Sequence, residues 1–232
     1  MKKKICAIGD SVLKGIVEDF STGSPKYAIS EKCFAELCSD RLELPVRNFA
    51  RFGATVNNGV AMAERYRNEI SESDFCVIEF GGNDCSFKWN EISENPDYPH
   101  TPLTLLDDFR RIYSGLIDKL KSIGARPVLL TLPMIDSERY FNFVSKGLNR
   151  QVILDWLGGD IDYIGRWHEM YNMAVCSLGA LKRVPVIDIT TPFLLRKNYR
   201  DYLCTDGIHP NEKGHALIAD TICRSEYINM IQ

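Results

Sequence analysis

Long apolar runs are missing from this sequence of 232 residues. None of its runs approaches the ~20 residues that a membrane-spanning helix needs. The start, Met1–Lys4, is basic, but the apolar stretch after it ends at Ile8 and is too short for the core of an export signal. We therefore expect no stable membrane insertion, and we predict a cytoplasmic location.

An excess of charge of either sign is also missing. The 28 Lys and Arg residues nearly balance the 31 Asp and Glu residues, which gives a net charge of −3. This balance offers no electrostatic basis for binding nucleic acid or an anionic membrane. A small-molecule partner is therefore expected, and a homo-oligomer stays open because nothing in the sequence bears on it.

The motifs of several common enzyme classes are absent as well. The sequence has no P-loop, no GxGxxG turn, no HExxH helix and no GxSxG elbow, so nucleotide enzymes, zinc proteases and α/β-hydrolases lose their main sequence support. The eight cysteines include no CxxC pair. Most of them lie among apolar neighbours, and we interpret them as reduced core thiols.

What the sequence does contain is an alternation of short apolar runs and longer amphipathic stretches, which is typical of a βα repeat. The predicted strands are Lys4–Ile8, Pro45–Phe49, Phe75–Phe80, Arg126–Leu132 and Val184–Ile189. The predicted helices are Ser30–Leu42, Val56–Ile70, Leu103–Ile123, Ile161–Leu181 and a last helix that Asn211 caps and that continues through Ile222. Such a chain is expected to form an α/β fold, a three-layer αβα sandwich whose parallel sheet has about five strands with helices on both faces.

Two segments exceed this minimal pattern. No linker, internal repeat or composition shift marks a second domain, so 1–232 is predicted to be a single domain with insertions near 86–102 and 133–160. Insertions of this length in compact α/β domains usually carry function.

Polar residues follow the strands at the ends where ligands bind in open α/β sheets. Ser11 follows the first strand at a glycine-flanked turn that is expected to expose its oxygen, which makes it the candidate nucleophile. His209 lies just before the last helix and is the candidate base. Asp206, three residues earlier, can fold back to hold Nδ1 of His209 while Nε2 faces the serine.

Donors for an oxyanion are present at the same strand ends. The backbone N–H groups of Ser11 and Gly53 and the side-chain amide of Asn83 are predicted to form the oxyanion hole. The neighbouring acids Asp10 and Asp84 are interpreted as braces for their turns through backbone hydrogen bonds.

Taken together, these residues resemble the four sequence blocks of the SGNH (GDSL) hydrolases. The blocks are Gly9-Asp10-Ser11, Gly53 in the stretch from Asn48, Gly81-Gly82-Asn83-Asp84, and Asp206-Gly207-Ile208-His209, and they occur in the order of the family. The resemblance implies a flavodoxin-like fold, ester hydrolysis without a cofactor, and signature roles for Ser11, Gly53, Asn83 and His209, with Asp206 completing the triad. Val12 stands where the family has Leu, a difference that concerns packing behind the nucleophile.

Other interpretations stay open at this point. The site could belong to a lysophospholipase-like or thioesterase-like acyl hydrolase, or to a non-catalytic module that binds an acyl or sugar ligand. A metal site made of Asp206, His209 and His215 is the weaker alternative, since the spacing matches no ligand pattern and His215 is expected on a helix surface. Glu79, inside an apolar strand, is expected to be buried and paired, without an assigned role.

Aromatic residues in the two insertions are candidates for the substrate-binding wall: Phe87, Trp89, Tyr98 and Trp156. Ordinary packing of long loops is the alternative interpretation. If these rings wall the site, they leave little room for a long acyl chain. The expected substrate is therefore a small soluble ester with a short acyl group, acetyl above all, on a carbohydrate-like alcohol.

Overall fold

The structure is a computed structural model that describes residues 3–21, 23 and 26–228. The strands are β1 (Ile5–Gly9), β2 (Ile16–Asp19), β3 (Lys26–Ile29), β4 (Val46–Asn48), β5 (Phe75–Glu79), β6 (Arg126–Leu130) and β7 (Val186–Ile187). The helices are α1 (Ser11–Lys14), α2 (Phe34–Leu42), α3 (Val56–Arg65), α4 (Arg67–Ser71), α5 (Trp89–Glu94), α6 (Leu106–Ser122), α7 (Ser137–Val144), α8 (Arg150–Trp156), α9 (Asp162–Lys182), α10 (Thr191–Leu194) and α11 (Glu212–Cys223), with a 3₁₀ helix at Tyr199–Tyr202. Over these ranges no helix is long and apolar enough to cross a membrane.

The main sheet has five parallel strands in the order β4-β1-β5-β6-β7. Numbered along the chain, this is the flavodoxin-like order 2-1-3-4-5. The strands β1 and β5 are apolar on both faces because helices cover both sides of the sheet. The predicted α/β fold with a five-stranded parallel sheet is therefore confirmed.

Alternate side chains of each strand enter different apolar layers. Cys6 and Ile8 of β1 point into the core that α3, α6 and α9 cover. Ile5 and Ala7 point into the core on the opposite face, which α2 and α11 cover. Both faces of the sheet are thus covered, and the site lies at the edge where the strands end.

A short antiparallel hairpin, β2 with β3, is the main element that the sequence pattern does not predict. Its strands have four residues each and mix charged with apolar side chains, so they lack a clear alternation. The hairpin also delays the next helix, which was predicted from Ser30 but begins at Phe34 because the Ser30 N–H donates to the Gly15 carbonyl and ends the hairpin.

The predicted helix Val56–Ile70 is interrupted at Tyr66. This residue has φ −106° and ψ 26°, outside the helical region, and separates α3 from α4. The Tyr66 ring stacks on Phe49 with centroids 4.1 Å apart. Contact with the loop after β4 thus accompanies a break that apolar periodicity alone does not signal.

The two insertions fold into helices with a small core of their own. α5 comes from the first insertion, and α7 and α8 come from the second. Ile92, Phe141 and Ile153 are buried in this core. The insertions therefore form a compact layer beside the carboxyl ends of the strands.

The expectation that His215 lies on a helix surface is wrong. Its side chain is fully buried between α11 and α2, where Nδ1 accepts a hydrogen bond from the Phe34 N–H at 3.4 Å and the ring stacks on Phe34. The apolar face of α11 extends one turn further than the sequence pattern indicates.

Candidate active site

The site lies at the carboxyl ends of β1 and β5, which are neighbours in the sheet. In the flavodoxin-like order the chain reverses its direction of winding between these two strands, which opens a crevice at their ends. Ser11 follows β1 and Asn83 follows β5, so both side chains enter the same crevice.

Ser11 is the first residue of α1, a helix of one turn. Asp10 caps this helix by accepting a hydrogen bond from the Val12 N–H at 2.8 Å, and Gly15 in the left-handed region ends it. The backbone N–H of Ser11 belongs to the first turn and has no acceptor within the helix. The serine side chain is buried rather than exposed, because its oxygen faces an internal cavity.

His209 and Asp206 form a hydrogen-bonded chain with the serine. Oγ of Ser11 lies 2.8 Å from Nε2 of His209, and Nδ1 of His209 lies 2.6 Å from Oδ2 of Asp206. The turn between the two residues needs a glycine at Gly207, whose φ is 78° and whose added Cβ would lie 2.7 Å from the Asp136 carbonyl oxygen. The structure thus brings the three predicted residues together in the predicted order.

Four donors surround the carboxylate of Asp206. Oδ1 accepts from the N–H groups of Ile208 and His209, while Oδ2 accepts from His209 and from the hydroxyl of Tyr27 at 2.7 Å. Burial raises the pKa of Asp206, but the hydrogen bonds and the His209 charge outweigh burial, so the pKa lies below its ordinary value. Asp206 is therefore an anion at neutral pH.

Of the three predicted oxyanion donors, Ser11 and Asn83 line the crevice, and Gly53 does not. Gly53 has φ 71°, a conformation that glycine adopts without strain. Asn83 Nδ2, however, donates to Oδ2 of Asp10 at 3.2 Å and to the carbonyl of Ala54 at 3.0 Å. An oxyanion would therefore have to share an amide hydrogen with one of these two acceptors or displace that acceptor.

Three buried acids, Asp10, Glu79 and Asp84, lie next to the strand ends that carry Ser11 and Asn83. Asp10 and Asp84 each accept a backbone hydrogen bond, from Val12 and from Val56 respectively, which confirms their predicted bracing role. Burial raises the pKa of Asp10, and burial together with the Asp10 charge raises the pKa of Glu79 well above its ordinary value. Glu79 is buried as expected, and Asp10 is the neighbouring acid that acts on it, but neither of its carboxyl oxygens has a hydrogen-bond partner among the described residues.

Burial also acts on Asp84. It raises the pKa of this carboxyl to about 6, against the hydrogen bonds from Thr104 and from the Val56 N–H.

A mainly apolar cavity extends from Ser11 toward the insertion helices. It contains about 70 Å³ that the centre of a water molecule can reach. Phe87 and Trp89 line it, as predicted. The aromatic side chains of Tyr140, Tyr163 and Trp167 line it as well. The sequence pattern does not predict several further residues of the wall, among them Cys85, Leu132, Ile135, Leu157, Ile164, His168 and Ile208.

Two predicted wall residues lie elsewhere, which corrects the sequence-based expectation. Tyr98 is 67% exposed, and its ring faces His100 at the surface. Trp156 packs edge-on against Phe87 with centroids 5.0 Å apart and is not part of the cavity wall. Ordinary loop packing explains both rings.

The alternative metal site is not assembled. His215 faces Phe34 instead of joining Asp206 and His209. Across residues 3–21, 23 and 26–228 no group of three or more His, Cys, Asp or Glu side chains is placed to hold a metal ion.

Known proteins are similar to this chain over nearly its whole length. A spore germination lipase, LipC, from Bacillus licheniformis is 22% identical over 230 residues, which cover 98% of each chain. A lipase/acylhydrolase from Enterococcus faecalis superposes with a TM-score of 0.68 at 21% identity, over 99% of this chain and 97% of its own. A catalytic mutant of the acetylxylan esterase Axe2 from Geobacillus stearothermophilus superposes with a TM-score of 0.67 at 19% identity, over 97% and 94% of the two chains.

The GDSL-like lipase/acylhydrolase family model matches residues 7–217. This range begins in β1, before Ser11, and ends in α11, after His209. Because this match covers nearly the whole chain, this protein belongs to the GDSL-like lipase/acylhydrolase family.

Proposed function

We propose that this protein hydrolyses carboxylic esters with short acyl groups through an acyl-enzyme at Ser11. The observation that carries the proposal is the chain of hydrogen bonds from Ser11 through His209 to Asp206, with distances of 2.8 and 2.6 Å, at the opening of an apolar cavity. A hydroxyl, a base and an ionised carboxylate in this order are what acyl transfer by serine requires.

In the first step Oγ of Ser11 attacks the ester carbonyl carbon, and its proton passes to Nε2 of His209. The imidazolium that forms is stabilised by the anionic Asp206, which holds Nδ1. The carbonyl oxygen becomes an oxyanion, and we assign its stabilisation to the N–H groups of Ser11 and Gly53 and to the amide of Asn83.

In the second step the C–O bond to the alcohol breaks, and His209 returns its proton to the leaving oxygen. Water then enters, His209 removes a proton from it, and the resulting hydroxide attacks the acyl carbon. Collapse of the second oxyanion releases the carboxylic acid and restores the Ser11 hydroxyl.

The size of the cavity supports a short acyl group. Only about 70 Å³ of this cavity is open to the centre of a water molecule, so the space is small. An acetyl or butyryl group fits such a space, whereas a palmitoyl chain exceeds it. Apolar side chains dominate the wall, which suits a hydrocarbon chain.

The surroundings of His209 support a carbohydrate-like or aryl alcohol. The rings of Phe52 and Tyr27, 56% and 39% exposed, lie next to His209 on its solvent side, with centroids 5.9 and 5.1 Å from the imidazole. A leaving alcohol that takes its proton from His209 passes these rings, and flat apolar faces suit a sugar or aromatic ring. The similarity to an acetylxylan esterase agrees with this class, while the similarity to LipC, named a lipase, favours a longer acyl group.

A panel of p-nitrophenyl esters from acetate to palmitate, run together with acetylated sugars, tests the proposal. We expect kcat/KM to be highest for acetate to butyrate and to fall with longer chains, because side chains of the insertion helices form part of the cavity wall and limit its depth. Ser11→Ala should abolish turnover, and a fluorophosphonate should label Ser11 and no other residue.

Each contrary result points to a different function. A kcat/KM that rises with chain length would replace the short-acyl proposal with a lysophospholipase-like or thioesterase-like one. Full activity in Ser11→Ala, or a label on another residue, would contradict the mechanism. Binding of acyl ligands without any turnover would leave a binding module.

A further inference from the structure

The hairpin of β2 and β3 lies outside the four sequence blocks, yet it reaches the triad. Its strands pair in antiparallel register from Ile16 with Ile29 to Asp19 with Lys26. Tyr27 is the second residue of β3, and its side chain extends to Asp206, which lies 179 residues away in the sequence.

Tyr27 makes two kinds of contact with the triad. Its hydroxyl donates to Oδ2 of Asp206 at 2.7 Å, the same oxygen that pairs with Nδ1 of His209. Its ring packs on the imidazole of His209 and on Phe52, with centroids 5.1 and 5.4 Å apart. The hydroxyl and the ring therefore act on both partners of Ser11.

The hairpin is held in this position by a second attachment to the same loop. Glu18 of β2 accepts hydrogen bonds from the N–H of Thr205 at 2.6 Å and from its hydroxyl at 2.7 Å. Thr205 directly precedes Asp206, so the register of the hairpin and the position of the carboxylate are coupled.

We propose that Tyr27 is a positioning residue of the triad, which orients Asp206 and limits how much of its negative charge acts on His209. This inference rests on the proposed function of Ser11 and extends it. One hydrogen bond to a charged group contributes on the order of 1.5–3 kcal/mol, so the loss of the Tyr27 hydroxyl is large enough to measure.

The titratable groups that face the Asp206–His209 pair come from several elements. Tyr27 and Glu18 face it from the hairpin, Asp10 from the turn after β1, and Cys204 from the adjoining loop. Tyr140 on α7 and His215 on α11 lie within electrostatic range. Burial, followed by the Asp206 hydrogen bond and charge, raises the pKa of Tyr27, so its hydroxyl stays protonated as a donor throughout the working range.

Removal of the Tyr27 hydroxyl should shift the pH profile of the reaction in one direction. In Tyr27→Phe, Oδ2 of Asp206 loses one donor, and its charge acts more fully on the imidazolium. The protonated, inactive form of His209 then persists to higher pH, so the acidic limb of the profile moves upward. The carboxylate also loses an orienting contact, which lowers kcat more than it changes KM.

The experiment measures the rate of fluorophosphonate labelling at Ser11 and the kcat and KM for p-nitrophenyl acetate, both as functions of pH. The variants are wild type, Tyr27→Phe and the matched control Tyr98→Phe, whose hydroxyl is at the exposed surface. We expect Tyr27→Phe to shift the acidic limb of both profiles upward by about half a pH unit or more and to lower kcat about 3- to 30-fold, while Tyr98→Phe matches wild type.

Profiles of Tyr27→Phe that coincide with wild type would overturn the inference and leave the proposed function intact. An absence of labelling in wild type would instead contradict the proposed function. If Tyr27→Phe has a lower melting temperature, Glu18→Ala serves as the second variant, since it releases the same hairpin and keeps the hydroxyl. A lowered kcat with an unshifted pH profile in both variants would reduce Tyr27 to a structural role.

Discussion

The side-chain amide of Asn83 carries two hydrogens, and the resting site provides an acceptor for each. Asp10 and the carbonyl of Ala54 accept from Nδ2 at 3.2 and 3.0 Å. Asp10 is held in turn by the Val12 N–H. These two acceptors hold the amide in place at rest, and an oxyanion on the substrate has to take over one of its hydrogens.

Asn83→Ala tests this arrangement at the scale of one residue. Loss of one oxyanion donor typically lowers turnover about 10²- to 10³-fold, so we expect kcat to fall by that factor while KM and the melting temperature change little. Steady-state kinetics and thermal unfolding measure these quantities. Asn198→Ala is the control, because Asn198 is exposed and its amide donates only to Asp201. A fully active or unfolded Asn83→Ala would contradict the assignment.

The insertion helices act as a unit at the next scale. α5, α7 and α8 share one apolar core, and Trp89, Tyr140 and Leu157 of that core also line the cavity beside Ser11. The cavity therefore owes its depth to how these helices pack against each other. A change in this small core should alter acyl-chain preference without touching the triad.

Leu157→Ala tests the depth of the cavity without changing a triad residue. Removal of this buried side chain lengthens the cavity, so kcat/KM for octanoate relative to acetate should rise about 10-fold or more. The unfolding free energy should fall by about 2–4 kcal/mol. Leu154→Ala is the matched control, since Leu154 packs on the same core but does not line the cavity. Equal chain-length profiles in both variants would show that Leu157 does not limit acyl length.

At the scale of the whole molecule, His215 links α11, the last helix, to α2 near the start of the chain. It is buried between α11 and α2, and burial lowers its pKa to about 4. The unfolded chain takes up the proton near pH 6.5, the ordinary value for histidine. The native state therefore has its full stability above about pH 6.5 and loses part of it as the pH falls toward 4.

The expected contribution of His215 to this loss is about 3 kcal/mol, from 1.36 kcal/mol per pKa unit. Denaturant unfolding at pH 7 and at pH 4 measures it. His215→Phe should show a smaller difference between the two pH values, by about that amount, although it is less stable at pH 7 because the Phe34 N–H loses its acceptor. His100→Phe, at a partly exposed histidine, should keep the wild-type difference. An unchanged pH dependence in His215→Phe would rule out this source.

The sequence by itself determined the parallel sheet and the positions of Ser11, Asn83, Asp206 and His209. Short continuous apolar runs define the strands, and parallel strands end at one edge of the sheet, so residues that follow them meet there. The glycines of the four blocks reinforce this, because Gly53 and Gly207 adopt conformations that other residues reach only with strain. These features depend on local backbone geometry, which is written in short stretches of sequence.

Only the tertiary structure decided which side chains surround that edge. Tyr27 reaches Asp206 across 179 residues, Trp156 turns away from the cavity, and His215 is buried. A signal for the hairpin was present in the β-branched and aromatic residues of Ile16–Asp19 and Lys26–Ile29, but nothing local connects it to the last block. Such contacts depend on how distant elements pack in three dimensions, and the period of one segment carries no information about its partner.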